Sequence, residues 1–137
     1  MAVAEKLIGL LSDYVEKNPS DLDFYSLLGT MLRESGMALK AAKIHRNILA
    51  KPSIKKDVRA KVLAELAWDM FVLGSFSEAQ NLVNEILKID SKNRSAMTIQ
   101  FELHKSAGDM GKAVEIAEKA LTLSPKSLSS LYTDYAR

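Results

Sequence analysis

The chain has 137 residues, of which 47% are hydrophobic and 26% are charged, with a net charge of +2. These values predict one folded domain over residues 1–137 and exclude wholesale disorder. The absence of cysteine excludes disulfides, thiolate catalysis and thiolate metal sites, and it fits a reducing compartment. No apolar run approaches the ~18 residues of a membrane span, and no signal peptide is recognisable. We therefore predict a cytoplasmic protein.

Apolar periodicity and its stop signals divide the chain into helices. Residues 1–18 carry one helical stripe, which ends at Asn18-Pro19. Three helical hairpins follow, over residues 22–50, 58–89 and 94–123, and a further helix begins at residues 127–137, after Ser124-Pro125. Pro19 occupies the position that closes a repeat, so the first helix is interpreted as a return helix without its outgoing partner. The chain would then be a segment of a longer protein, which we favour, or would complete itself with a second copy.

Each hairpin has a glycine at its turn and an alanine five residues later. The pairs are Gly36 with Ala41, Gly74 with Ala79, and Gly108 with Ala113. They recur after 38 and then 34 residues, a period typical of stacked helical hairpins. Glycine accepts the left-handed backbone of a tight turn, and alanine fits where two helices approach closely. We predict an all-α fold, a right-handed solenoid of hairpins that resembles the tetratricopeptide repeat.

A more specific resemblance covers residues 25–87. It rests on Leu28-Gly29, Arg33, Gly36, Ala41 and Ile44-His45-Arg46 before a long connection, and on Leu66, Asp69-Met70, Gly74-Ser75-Phe76 and Ala79 after it. This run resembles the central repeats of the bacterial lipopolysaccharide assembly protein B family. The resemblance implies a non-enzymatic adaptor at the cytoplasmic face of the inner membrane, with a membrane protease or lipopolysaccharide-synthesis enzymes as partners. The family's membrane anchor and zinc module are not recognisable in this sequence, so the chain would correspond to the repeat region alone or to a relative that has lost both ends.

In such hairpins the outgoing helices line the concave surface, where a protein or peptide partner is expected to bind. The predicted groove residues are Ser26, Thr30, Arg33, Lys61, Ala64, Trp68, Phe71, Val72, Thr98, Glu102 and Lys105. Trp68 and Phe71 would hold an apolar side chain of the partner, although Trp68 could equally pack into the core. The basic clamp of chaperone-tail receptors is missing, because its places hold Ser26, Thr30, Glu65, Ser95 and Ile99. Such a receptor is therefore excluded.

A basic cluster between positions 40 and 61 suggests an alternative function, charge-driven binding to an anionic membrane surface or nucleic acid. Its members are Lys40, Lys43, Arg46, Lys51, Lys55, Lys56, Arg59 and Lys61, with Asp57 as the one acid among them. Aromatic residues are not interleaved with these charges, so an ordinary solvated surface is the simpler interpretation. Nucleic acid is therefore not the expected partner.

We predict no cofactor, no metal site and no enzymatic activity. His45 and His104 have no second ligand at helical spacing, and His45 is interpreted as a core residue. Asp69 either pairs with a basic neighbour or is exposed. No catalytic triad order, phosphate loop or carboxylate pair stands out.

The two terminal helices are expected to leave apolar faces uncovered. Leu7, Leu11 and Tyr14 lie on the first, and Leu131 and Tyr135 on the last. Exposed patches of this kind drive association, either head to tail or like with like. We therefore expect a homodimer through the terminal helices.

Overall fold

The computed structural model describes residues 2–123, which form seven α-helices and no strand. The helices are α1 (Ala2–Lys17), α2 (Leu22–Glu34), α3 (Ala38–Leu49), α4 (Lys56–Val72), α5 (Phe76–Ile89), α6 (Arg94–Ser106) and α7 (Met110–Leu123). Each hairpin begins and ends within two residues of its predicted bounds. The helix expected over residues 127–137, with Leu131 and Tyr135, lies outside the described residues, as does the stop at Ser124-Pro125.

Glycine makes the turn inside each hairpin, as the sequence predicts. Gly36, Gly74 and Gly108 have φ angles of +86°, +80° and +76°, in the left-handed region. The amide that follows each glycine donates to a carbonyl five residues earlier, from Met37 to Leu32, Ser75 to Met70 and Asp109 to His104. These bonds are 2.8–2.9 Å long and satisfy carbonyls at the helix end that have no partner within the helix.

Consecutive helices pack against one another along the whole described chain, and the buried apolar residues of residues 2–123 form three clusters. One core cluster joins α1, α2 and α3 through Leu11, Val15, Leu28, Leu32 and Ala41. A larger cluster joins α3 to α6, with Ala67, Val83, Ile86 and Ile99 at its centre. Ala41, Ala79 and Ala113 are completely buried, as expected for the close approach of two helices.

At a second pair of equivalent positions, the sizes of the two side chains differ from one hairpin to the next. In the first hairpin Gly29 faces His45, and a Cβ at Gly29 would lie 2.5 Å from the ring Nε2. The same positions hold Ala67 and Val83 in the second hairpin, both in one core cluster, and Phe101 and Ala117 in the third, where both line one groove. The larger residue therefore lies on the return helix in the first two hairpins and on the outgoing helix in the third, and each pair combines a small residue with a larger one.

Substitution of a turn glycine tests the backbone argument. We expect Gly74→Ala to destabilise the fold by about 1 kcal/mol, because an L-residue is strained at positive φ. No atom lies within 4 Å of the added Cβ, so the loss would report the backbone alone. Urea denaturation followed by circular dichroism measures it.

Gly9→Ala is the matched control, because Gly9 lies inside α1 and its added Cβ also meets no atom within 4 Å. Alanine is the better helix former, so this variant should be unchanged or more stable by up to about 1 kcal/mol. Equal losses in both variants would contradict the assignment of Gly74 to a left-handed turn.

Candidate functional site

The concave face of the solenoid is formed by α2, α4 and α6. α2 contacts α4, and α4 contacts α6, in addition to the contacts between chain neighbours. Within residues 2–123, the backbones of α1, α3, α5 and α7 do not approach one another in this way, although the side chains of Arg46 on α3 and Glu78 on α5 form an ion pair. In a curved stack the helices of the inner row lie closer together than those of the outer row. The inner row is therefore α2, α4 and α6, which are the outgoing helices of the three hairpins.

A cleft of about 260 Å³ opens on this inner row. It is lined by Leu22, Asp23, Ser26, Thr30, Val58, Lys61, Val62, Ala64, Glu65 and Ser95. The structure thus brings together four predicted groove residues, Ser26, Thr30, Lys61 and Ala64. The cleft also contains Asp23, Glu65 and Ser95, which are not among the predicted groove residues. Glu65 and Ser95 occupy places that hold the basic clamp in chaperone-tail receptors, and this was the sequence signal for their position.

The predicted aromatic centre lies further along α4, towards the turn at Gly74. Trp68 and Phe71 are half-buried against the core and meet edge to face, with ring centroids 5.7 Å apart. Phe71 also lies 5.4 Å from the ring of Phe76, at the start of α5. Val72 is 57% exposed. Trp68 therefore contacts the core while part of its surface stays accessible.

The predicted groove residues of α6 are only partly available. Thr98 is buried, and its hydroxyl donates to the carbonyl of Arg94 within the same helix. Glu102 and Lys105 form an ion pair at 3.4 Å. The side chain of Thr98 is therefore used by its own helix, whereas Glu102 and Lys105 remain half-buried.

Arg33, also a predicted groove residue, is turned inward by two acids of α4. Its guanidinium donates to Asp69 Oδ1 at 3.0 Å, to Glu65 Oε1 at 3.0 Å and to the Glu65 carbonyl at 3.1 Å. Only 13% of the Arg33 side chain is exposed. Thr30 completes the group, because its hydroxyl donates to the same Glu65 oxygen at 2.7 Å.

His45 joins this group from α3 and is completely buried, in agreement with its interpretation as a core residue. Its Nδ1 lies 2.5 Å from Asp69 Oδ2, and its Nε2 lies 3.2 Å from the Ser26 carbonyl. Both ring nitrogens thus face oxygen atoms that accept hydrogen bonds. The geometry is satisfied when both nitrogens carry a proton, and Asp69 is the buried, paired acid rather than an exposed one.

The resulting network joins three helices. Arg33 and the His45 ring face the two acids, Glu65 and Asp69. Among the described residues, no buried side-chain nitrogen or oxygen lacks a hydrogen-bond partner. Acids that are paired with a cation and fully hydrogen-bonded can be buried at tolerable cost. It fixes α2 and α4, the two main walls of the cleft, relative to each other.

The basic cluster does not form one surface. Lys61 lines the inner cleft, whereas Lys40 and Lys43 lie exposed on α3 of the outer row. Arg46 pairs with Glu78 at 3.3 Å, and Arg59 donates to the Leu49 carbonyl. The basic residues therefore lie on two faces of the molecule, and two of them, Arg46 and Arg59, already bind acceptors within the chain.

Residues 2–123 contain neither a group of side chains that could hold a metal ion nor a helix long and apolar enough to cross a membrane. No family model matches the chain.

Two curated relatives share its sequence at low identity. Lipopolysaccharide assembly protein B of Escherichia coli strain K12 is 19% identical over 119 residues, which are 87% of this chain and 31% of the relative. The Haemophilus influenzae protein of the same name is 25% identical over 147 aligned positions, covering 97% of this chain and 37% of the relative. The chain thus spans about a third of their length. The resemblance expected from residues 25–87 is confirmed and extends over most of the chain.

Solved structures show the same fold. The crystal structure of MamA superposes with a TM-score of 0.69 at 15% identity, covering 97% of this chain and 79% of MamA. BtubC (BKLC) from P. vanneervenii superposes with a TM-score of 0.67 at 16% identity, covering 98% of this chain and 62% of BtubC. The all-α solenoid of the tetratricopeptide type is confirmed.

Removal of the central acid tests the ion network. We expect Asp69→Ala to destabilise the fold by about 3–5 kcal/mol, because it leaves Arg33 and His45 without their shared anion. Glu78→Ala is the control: it removes an acid that is 60% exposed and paired with Arg46, and should change stability by less than about 1 kcal/mol. Urea denaturation measures both, and equal effects would contradict a structural role for the network.

Gly29 provides a second test, because the network holds the His45 ring against it. The Cβ of Gly29→Ala would lie 2.5 Å from Nε2 and 2.7 Å from Cε1, and the ring is fixed at both nitrogens. We expect a loss of about 1–3 kcal/mol despite the better helix propensity of alanine. Gly111→Ala, whose Cβ meets nothing closer than 3.6 Å, should be tolerated. A Gly29→Ala variant as stable as the parent in thermal unfolding would refute the close contact.

Proposed function

We propose that this chain is a non-enzymatic adaptor that binds a protein or peptide on its concave face. The observation that carries the proposal is the cleft between α2, α4 and α6, which is open to solvent and lined with polar side chains, of which Asp23, Lys61 and Ser95 are exposed. The fold supports it, because stacked hairpins present an extended concave surface to partners. A cleft whose walls are held by internal ion pairs can bind without reordering its own side chains.

The lining favours a partner segment that offers hydrogen-bonding groups at the cleft and an apolar side chain beyond it. Lys61 and Asp23 supply one exposed charge of each sign, and Ser26 and Ser95 supply hydroxyls. An extended peptide presents backbone donors and acceptors that match such groups. An apolar anchor of the partner would pack further along α4, the helix that carries Lys61, against the accessible parts of Trp68, Phe71 and Val72.

The similarity to lipopolysaccharide assembly protein B supports a role in regulating bacterial lipopolysaccharide synthesis. The partner would then be a membrane protease or an enzyme of lipopolysaccharide synthesis, met at the cytoplasmic face of the inner membrane. The alternative, binding to an anionic surface through the basic cluster, is less well supported because those residues are divided between the two rows of helices.

A charge reversal in the cleft tests the proposed binding face. We expect Lys61→Glu to reduce capture of the native partner at least about fivefold, since a charge removed from a binding face costs affinity of this order. Lys43→Glu is the matched control, with the same change of charge at an exposed site on α3. The measurement is quantitative pull-down of the tagged chain from its native bacterium, with the captured proteins identified by mass spectrometry.

A partner lost with Lys61→Glu and retained with Lys43→Glu would support the concave face. Equal loss in both variants would favour the charge-driven alternative. If the retained partners include neither a membrane protease nor an enzyme of lipopolysaccharide synthesis, the proposed pathway is wrong even where the binding face is correct.

A further inference from the structure

The outward face of α1 carries four apolar residues at the spacing of a coiled-coil seam. Val3, Leu7, Leu10 and Tyr14 follow one another by four, three and four residues, and are 81%, 41%, 59% and 39% exposed. The adjacent face of the helix is covered, because Val15 and Leu11, the latter expected on the uncovered face, are buried against α2. Within the described part of the chain, α1 is therefore apolar on two sides and covered on only one.

Leu7 distinguishes α1 from the other return helices. Counting back 34 residues from Ala41 gives Leu7, so it stands where α3, α5 and α7 carry Ala41, Ala79 and Ala113. Those alanines are completely buried beneath the outgoing helix of their hairpin. A leucine does not fit an approach that close without pushing the helices apart. The exposed seam of α1 is therefore suited to wider, interdigitated packing, as between separate helices of a coiled coil.

The apolar surface continues onto α2. The ring of Tyr14 lies 5.0 Å from that of Phe24, and Phe24 and Leu27 are 43% and 42% exposed. The Tyr14 hydroxyl donates to Asp21 at 2.7 Å, and this hydrogen bond raises the pKa of Tyr14. A phenol is already neutral at physiological pH, so Tyr14 adds an uncharged ring to the patch.

We propose that this face is the docking site for α1 of a second copy of this chain, in an antiparallel, two-fold symmetric contact. An antiparallel register would place Leu7 opposite Leu10 of the other copy and Val3 opposite Tyr14. The helix edge beside the seam carries the exposed residues Lys6 and Asp13. In the same register each Lys6 faces an Asp13 of the other copy, so the apolar and the charged groups are both self-complementary. A parallel register forms no such pair of opposite charges.

The first experiment measures the oligomeric state of the 137-residue chain by analytical ultracentrifugation over a range of concentrations. We expect a reversible dimer. Leu10→Glu should weaken it at least about tenfold, because the symmetric contact buries the new charge twice. Leu39→Glu is the matched control: Leu39 is 75% exposed on α3, away from the patch, and its substitution should leave the dimer unchanged. Thermal unfolding by circular dichroism checks that both variants are folded.

The outcomes separate this contact from its alternatives. A native chain that stays monomeric at all concentrations would overturn the proposal, as would a folded Leu10→Glu variant that still dimerises. Leu131→Glu and Tyr135→Glu test the head-to-tail contact. If either weakens association as much as Leu10→Glu, the C-terminal segment is the occupant and the α1 contact is wrong.

The second experiment tests the orientation and uses the absence of native cysteine. Under mild oxidation, an equimolar mixture of Val3→Cys and Tyr14→Cys chains should form a disulfide-linked dimer of one of each. Each variant alone should cross-link at least about fivefold less, because the antiparallel register holds identical positions apart. Efficient cross-linking of each variant with itself would indicate a parallel contact and refute the proposed register.

A charge exchange gives an independent check. Lys6→Asp should weaken the dimer, because it places two acids opposite each other at both symmetric positions. Adding Asp13→Lys to the same chain should restore the dimer. Failure of the double variant to recover would refute the pairing of Lys6 with Asp13.

Discussion

The ion pairs of Asp69 with Arg33 and His45 determine how the first two hairpins fit together. Asp69 lies on α4, Arg33 on α2 and His45 on α3, so one carboxylate holds the outgoing helix of one hairpin against both helices of the hairpin before it. Full burial of this carboxylate is tolerable because both of its oxygens accept charge-assisted hydrogen bonds. The His45 ring can reach it only because Gly29 has no side chain. A small residue in one helix thus makes room for the imidazole ring that holds the next hairpin.

The same network determines the character of the cleft. Glu65 and Thr30 line its wall, but their side chains are already committed to Arg33 and to each other. The groups that remain for a partner are those at the edges of the network, Asp23, Ser26, Lys61 and Ser95. A partner therefore meets a surface whose charged interior is neutralised and whose exposed groups are mostly hydrogen-bonding. Such a surface selects for backbone and polar side-chain geometry more than for net charge, in keeping with the chain's overall charge of +2.

Local signals in the sequence were sufficient for the helices and turns, but not for the site. The turn glycines indicate a left-handed backbone, and the alanines five residues later indicate close packing of two helices. Both signals can be interpreted within one hairpin; the residues are Gly36, Gly74 and Gly108, and Ala41, Ala79 and Ala113. Arg33 could not be interpreted in this way, because its three acceptors lie 32 and 36 residues further along the chain. Helical spacing placed it on the groove, and only the position of α4 turns it inward. Thr98, also predicted to line the groove, is unavailable for a local reason, because its hydroxyl donates a hydrogen bond to a carbonyl of its own helix. Asp69 is the exception, because a single acid within an apolar helix is either exposed or, if buried, paired with a cation.

The two surfaces of the molecule lie at different places in the stack, and this bears on how they would act together. The cleft uses Asp23, Ser26 and Thr30 of α2, and the patch of α1 is continued by Phe24 and Leu27 of the same helix. No residue of α1 lines the cleft, so a contact through α1 would leave it open. A two-fold dimer would carry two identical clefts, related by the axis that passes between the α1 helices. A partner that presents two copies of its binding segment would then be held at both, and the second binding step would be intramolecular. Modest affinity at each polar cleft would be sufficient for an adaptor assembled in this way, because avidity rather than any single contact would retain the partner.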